Sequence, residues 1–376
     1  MIGTVTLHYN ANYGANLQAY ALVKCLSSLT GEEVRLIDYR NERIRNLYRV
    51  APFNLMDNGI RVNLSSCKRF VKILLNMQGT YIRDRKFYRF RKNYIPMTSM
   101  VKNPEEIAGL QCSHLFVGSD QIWNDWITGD QKNRVFYGNV KSPDTIVAAY
   151  APSLSNSSFS GEEDRAVSEY INNFDFLSVR EEQLIDLIHG RYQGEIETVC
   201  DPVFLLGQKE WEELDTSSKK KEPYVFVYLL ERNPVLFELA KAVAEHYNLK
   251  LVVLSDGQKL TWNEGEYLKT ADPSEFIGGI RNAEFVVTNS FHGTVYSMMF
   301  HKKFLTIPDT RRGIRMIALL EKYGLQERLV VDIRDFVMDT LEKEIDYSAV
   351  DKKIEAERSQ AVEYLKKVLQ FRSGTK

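Results

Sequence analysis

The chain has 376 residues, 44% of them apolar and 26% charged, which is more than one hydrophobic core ordinarily organises, so two domains are expected. A formal net charge of −1 argues against a nucleic-acid partner, and no apolar run approaches the roughly 20 residues that cross a bilayer. The opening MIGTVTLHYN turns polar within a few residues and has no secretory apolar stretch, so a cytoplasmic protein is expected.

In chain order, GTVTLHY, the loop NANYGAN, the helical LQAYALVKCLSSL and the returning EVRLIDY form one βαβ unit. A basic stretch over about 40–95 then interrupts the rhythm. Between Arg40 and Lys92 fourteen Lys or Arg face three acids (Glu42, Asp57, Asp84), so this stretch carries +11 and the remainder −12. Two amphipathic helices are expected there, over VNLSSCKRFVKILLNM and YIRDRKFYRFRKNY. Regular units resume with HLFVGSD, IVAAYAP, a helix from about Glu162, FLSVR and ETVCDPVFLL.

The polar, lysine-rich DTSSKKKEP marks a boundary. A second α/β series follows: YVFVYLLE, PVLFELAKAVAEHY, LKLVVLSD, a helix near PSEFIGGIRNA, EFVVTNS, a helix from Gly293 and FLTIPD. The predicted architecture is α/β, two Rossmann-like domains facing a cleft over 1–210 and 211–340, with a C-terminal helix in 341–376 packing back on them. Ligands are expected at the carboxyl ends of the strands. Cys25, Cys67, Cys112 and Cys200 are far apart, with no CxxC pair and no zinc-site spacing, and read as reduced, mostly buried residues.

Chemistry is expected at the strand-to-helix junctions. EFVVTNSFHGTVYSMMF passes from a buried strand into a helix within a few residues, which aims backbone N–H groups and a positive dipole end at the cleft. Ser290, Phe291 and Gly293 line this anion site, and His292 stands in it as a proton carrier; the alternative is a junction that merely caps its helix. Arg180 ends FLSVR, where its planar fork suits a carboxylate or phosphate or a surface pair with Glu181 or Glu182. In VGSDQIWN, Asp120 can accept sugar hydroxyls and Trp123 can stack on a pyranose, or the indole is a packing residue. Asn10, Gly14 and Asn16 of HYNANYGAN can line a helix N-terminus. That segment has neither GxGxxG nor GxxxxGK[ST], so NAD and ATP are disfavoured. Arg311, Arg312 and Arg315 supply positive charge or solvate a helix start.

The ordered set NYGANLQAYAL, VGSDQIWN, YAPSL, SVRE, DPVFLL, TNSFHGTVYSMMF and RMIALLEKYGLQER resembles the polysaccharide pyruvyltransferases over roughly residues 3 to 331. The resemblance implies a GT-B-like fold, phosphoenolpyruvate as donor, a sugar of a surface polysaccharide as acceptor and formation of a pyruvate ketal, with no cofactor or metal. It places Arg180 and His292 on positions the family uses for donor binding and catalysis. One departure is that many members carry a glycine-rich turn where this chain reads VGSDQIWN. The alternatives are a nucleotide-sugar glycosyltransferase on the same plan, or a silent member that binds glycan or carrier lipid. If the acceptor is linked to a polyprenyl diphosphate, the basic stretch over 60–92, with Phe70, Val71, Ile73, Leu74 and Leu75, can rest on the inner face of the membrane. Otherwise it buries those residues against its own domain.

Overall fold

The first strand, β1 (Ile2–Val5), is buried along its whole length and pairs in parallel on both edges, with β2 (Val34–Tyr39) and β4 (His114–Val117). Such continuously apolar runs suit a sheet covered on both faces. The full order of this sheet is β3-β2-β1-β4-β5-β6-β7, adding β3 (Met97–Val101), β5 (Ile146–Ala149), β6 (Phe176–Val179) and β7 (Ile196–Thr198). The computed structural model describes residues 1–47, 79, 81–129, 134–140, 142–153, 158–217, 222–255, 264–308 and 313–372. The expected helix carrying Phe70 to Leu75, together with Cys67, Arg311 and Arg312, lies outside them.

A second parallel sheet runs β10-β9-β8-β11-β12, from β8 (Tyr224–Leu229), β9 (Lys250–Ser255), β10 (Glu266–Tyr267), β11 (Phe285–Thr288) and β12 (Lys303–Thr306). In both sheets the chain starts in the middle and winds outward in each direction. Strand order therefore reverses between β1 and β4, and again between β8 and β11, which opens a crevice at their carboxyl ends.

Helix α1 (Tyr13–Leu29) starts at Asn12, whose side chain accepts the Ala15 N–H at 2.9 Å. Its first turn is pressed between the domains. The Tyr13 hydroxyl donates to the Ala271 carbonyl at 2.8 Å, and its ring stacks on Phe276 at 4.9 Å and meets Tyr228 edge-on at 5.7 Å. One buried cluster consequently runs from Ile2 and Phe116 of the first sheet through Tyr13 to Phe226 of the second sheet and Tyr296 of the helix after β11. A helix over 81–94, here α3, also reaches across: Lys86 pairs with Glu275 at 2.7 Å.

Helix α13 (Tyr347–Gln370) buries Val350, Ile354, Ala361, Tyr364, Leu365 and Val368, a three-to-four residue repeat that makes one apolar stripe. It leaves the second domain at the His301–Asp351 pair (2.9 Å) and ends on the first, where the Tyr364 hydroxyl donates to Ala149 O at 2.7 Å and Arg358 Nε to Phe204 O at 2.7 Å. Cys25, Cys112 and Cys200 are buried free thiols. Among the described residues no helix is long and apolar enough to cross a membrane.

Candidate active site

Strand β11 ends in Thr288, whose hydroxyl donates to Tyr228 O at 2.7 Å and accepts the Ser290 N–H at 3.0 Å. The chain turns at once into α11 (Phe291–Met299), with Ser290 as its cap, accepting the Gly293 N–H at 3.3 Å. Two of the amides expected to hold an anion, those of Ser290 and Gly293, are thus already engaged. The N–H groups of Phe291 and His292, at the first two helical positions, have no acceptor among the described residues.

His292 is 9% exposed and lies where the domains meet. Its Nε2 is 3.5 Å from Asp201 Oδ2. The opposite edge of the ring rests on the start of α1: a Cβ at Gly14 would fall 2.0 Å from His292 Nδ1. Gly14 is required there because its missing side chain is the space that the imidazole occupies.

The first sheet contributes charge. Arg180, directly after β6, puts Nη1 2.9 Å from Asp201 Oδ2 and donates from Nη2 to Ser119 Oγ. Asp201 follows β7, is 1% exposed, and receives the Val203 N–H on Oδ1 at 3.0 Å. Asp120 follows β4, and its Oδ1 is 4.0 Å from Arg180 Nη1 and 3.5 Å from Nη1 of Arg315. Arg315 belongs to α12 (Gly313–Tyr323) of the second domain and donates to Ser153 Oγ at 3.2 Å. Ser153 in turn donates to Glu181 Oε1 at 2.8 Å. Both guanidiniums stand 5.6 Å from the centre of the Phe291 ring. Gly118 makes the Asp120 turn possible: at φ +136° its Cα is so near β5 that a Cβ would lie 2.0 Å from Tyr150 O.

These groups form one connected chain of polar side chains, His292, Asp201, Arg180, Asp120, Arg315, Ser153, Glu181, that passes between the domains more than once. Burial works against the Asp201 carboxylate, yet the adjoining Arg180 and His292 outweigh it and hold the carboxyl well below the usual range. Asp120 is lowered as well, with Arg180 and then Arg315 overcoming the cost of burial. For Glu181 burial wins over the same two arginines and pushes the carboxyl up. The Arg180 guanidinium is raised: burial works against its charge, but Asp201 and the other carboxylates around it prevail.

The structure brings Arg180, His292, Ser290, Phe291, Gly293, Gly14, Asp120 and Arg315 together. It does not do so for Trp123, which is fully buried, donates Nε1–H to Phe136 O at 2.9 Å and stacks on Tyr137. An indole turned into its own domain offers no face to a sugar. Asn16 is also not a cleft-lining group. It is fully buried and binds the carbonyls of Asn10 and Asn12, both at 2.8 Å, while Arg91 donates to its Oδ1 at 3.1 Å. Asn16 and the Asn10 carbonyl therefore tie down the loop that presents Gly14. Asp201, Ser119, Ser153 and Glu181 are site members that residue-by-residue reading passed over. The one available signal was the Asp-Pro pair following SVRE.

Two facing parallel sheets that share a site at their carboxyl ends define a GT-B-type architecture of two Rossmann-like domains. A model of one family, described as polysaccharide pyruvyl transferase, matches residues 12–309. The chain belongs to the polysaccharide pyruvyl transferase family, a family of transferases. No curated protein sequence matches it. Among solved structures it is similar to a UDP-GlcNAc 2-epimerase from Neisseria meningitidis bound to UDP-GlcNAc (TM-score 0.50, 9% identity, 98% of each chain covered). It is equally similar to the UDP-GlcNAc 2-epimerase of Methanocaldococcus jannaschii in complex with UDP-GlcNAc and UDP (0.50, 13%, 98% of each). An O-GlcNAc transferase from Thermobaculum terrenum aligns over 100% of this chain but only 64% of its own, at TM-score 0.44 and 12% identity. At such identities the likeness concerns the fold alone.

Proposed function

We propose that the cleft binds phosphoenolpyruvate and transfers its enolpyruvyl unit to two hydroxyls of a polysaccharide sugar, or of its lipid-linked precursor, as a pyruvate ketal. The methylene carbon of the donor gains a proton, and positive character develops on the adjacent carbon. A first sugar hydroxyl adds there and gives up its proton. The bond to the phosphate oxygen then breaks, phosphate leaves with the electron pair, and the second hydroxyl closes the ketal as its proton passes to phosphate. Protein groups suffice for these steps, and no metal or nucleotide is invoked.

In this reading His292 carries the proton to the methylene carbon or from the hydroxyl. Arg180 and Arg315 hold the donor's carboxylate and phosphate, helped by the amides of Phe291 and His292 at the positive end of α11. Asp120 faces both arginines and receives a sugar hydroxyl once the donor has taken over the guanidiniums. The observation that carries the reading is the convergence of two arginines from opposite domains on one aromatic ring, beside an imidazole at a helix N-terminus. The family match adds the expectation of pyruvyl transfer to a sugar.

The test is calorimetric titration of phosphoenolpyruvate into wild type, Arg180→Lys and His292→Ala. Arg180→Lys keeps the charge but loses the fork, so binding should weaken at least tenfold, whereas His292→Ala should bind the donor and lose phosphate release by on the order of 10²–10⁴. Full turnover in folded His292→Ala would overturn the assignment. A second reading is a nucleotide-sugar enzyme, since two proteins that share this fold hold UDP-GlcNAc, although a shared fold does not fix the ligand. Saturable binding of UDP, with none of phosphoenolpyruvate in the presence or absence of an acceptor, would select it.

A further inference from the structure

Helix α3 has a second face that the cleft does not use. Its inner face buries Phe87 and Phe90, which meet Tyr13 at 5.0 Å and Tyr20 at 6.3 Å. From the same side Arg83 donates to Ala11 O, and Arg91 Nη1 to His8 O at 3.3 Å and Asn16 Oδ1 at 3.1 Å. The helix is therefore bolted to the 8–16 loop that sets Gly14 against His292.

The outer face is a different material. Tyr81, Ile82 and Tyr88 are 57%, 47% and 56% exposed, and Arg85, Arg89 and Lys92 are exposed between them. At 3.6 residues per turn these six positions cover an arc of about 120°, and no acid falls within it. The Arg85 guanidinium lies over the Tyr81 ring at 5.7 Å. Of the eight exposed large apolar side chains among the described residues, this one helix holds four, Tyr81, Ile82, Tyr88 and Tyr94. Apolar exposure concentrated on one cationic helix face marks an interaction surface rather than scatter.

We propose that this face docks on an anionic phospholipid bilayer. Three cations without an opposing acid are drawn to anionic headgroups, and tyrosines put an apolar ring at headgroup depth with the hydroxyl in water. Ile82 has no ring to stack on a base, which favours the acyl boundary over a nucleic-acid strand. With so little apolar surface the contact is shallow, reversible and sensitive to salt. Docking there would hold at the membrane the helix that is bolted to the 8–16 loop of the cleft, near which a lipid-carried sugar would present its hydroxyls. This last link rests on the proposed function; the docking itself does not.

The experiment is co-sedimentation of the full chain with vesicles of phosphatidylcholine alone and of phosphatidylcholine mixed with phosphatidylglycerol, at low and high salt. Wild type should sediment with the anionic vesicles only and be released by salt. Because each cation near such a surface contributes roughly fivefold to partitioning and reversal also adds repulsion, the variant R85E/R89E/K92E should bind at least about 100-fold more weakly. Y81S/Y88S, which keeps the charges, should bind more weakly than wild type but remain salt-sensitive. Phosphoenolpyruvate titration of the charge-reversed variant should match wild type, so loss of docking and failure of the donor assignment are read separately. The inference is overturned if wild type ignores the anionic lipid, if charge reversal leaves sedimentation unchanged, or if single-stranded nucleic acid is bound and vesicles are not.

Discussion

The two sheets meet the cleft with different materials. The first ends in charged side chains: Asp120 after β4, Arg180 after β6 and Asp201 after β7. The second ends in backbone amides and one imidazole at the junction Ser290 to Gly293, with Arg315 added from α12. Buried charges of the first kind are stable only as a set, because removing one leaves its partner desolvated and uncompensated. The second kind is held by a helix cap and by contact with Gly14, so it depends on shape rather than on charge balance. The first domain thus brings a balanced set of buried charges to the cleft, whereas the second brings an imidazole and Arg315 on the starts of its helices. The site is complete only where His292 reaches Asp201.

The largest effects should come from the charged side. Arg180→Ala should destabilise the fold by about 3–5 kcal/mol, because Asp201 then stays buried without its guanidinium; chemical denaturation measures this. The same variant should change acid behaviour. Asp201 and Asp120 titrate below their ordinary value of 3.8 in the folded protein. Their stabilisation is therefore complete above that value and lost as pH falls through the depressed folded values. Without Arg180 burial is no longer outweighed and the folded carboxyls rise, so the decline in melting temperature followed downward from about pH 5 should shrink or vanish. An unchanged acid limb would mean that Arg180 does not set these carboxyls.

From the side that relies on shape, Gly14→Ala should move the imidazole, since the new methyl falls 2.0 Å from Nδ1. Phosphate release should drop on the order of 10²–10³-fold with the circular dichroism spectrum retained. Normal turnover would show that the ring's position against α1 is immaterial. A smaller effect is expected at Trp123, where Phe substitution deletes the buried indole N–H bond to the Phe136 carbonyl. Stability should fall by about 1–3 kcal/mol with donor affinity unchanged, and a loss of sugar-acceptor affinity alone would restore the indole to the cleft. The smallest effect should sharpen the comparison. Asp120→Asn removes a loosely paired negative charge from between Arg180 and Arg315, so phosphoenolpyruvate should bind about tenfold more tightly.

Much of the fold was legible in the chain, and so was part of the site. Buried strands such as FVVT and YVFVYL read directly as parallel-sheet cores, and the abrupt passage from β11 into α11 marked the His292 junction. Trp123 was not legible in the same way. An aromatic residue after a polar turn reads alike whether its ring faces out or in, and the carbonyl that satisfies its N–H belongs to Phe136, beyond the next helical turn. Asn16 looked like a ligand-facing amide because its loop is polar, but the loop's own carbonyls and Arg91 consume it. Asp201 was overlooked because an Asp-Pro step is also an ordinary helix start. Its importance appears only when β6 and β7 lie side by side and bring Arg180 to it.

The alternation of parallel strands and helices, the division into two α/β series and the capped junction before α11 were written in the chain alone, because apolar runs and helix caps act over a few residues. Tertiary structure alone decided which charges meet. The pairing of Arg180 with Asp201 follows from strand order, and that of Asp120 with Arg315 from how the domains dock. The packing of Gly14 on His292 likewise depends on α1 reaching the second domain. No local periodicity encodes such contacts, since each is made by groups far apart in the chain that only the shared hydrophobic core brings together.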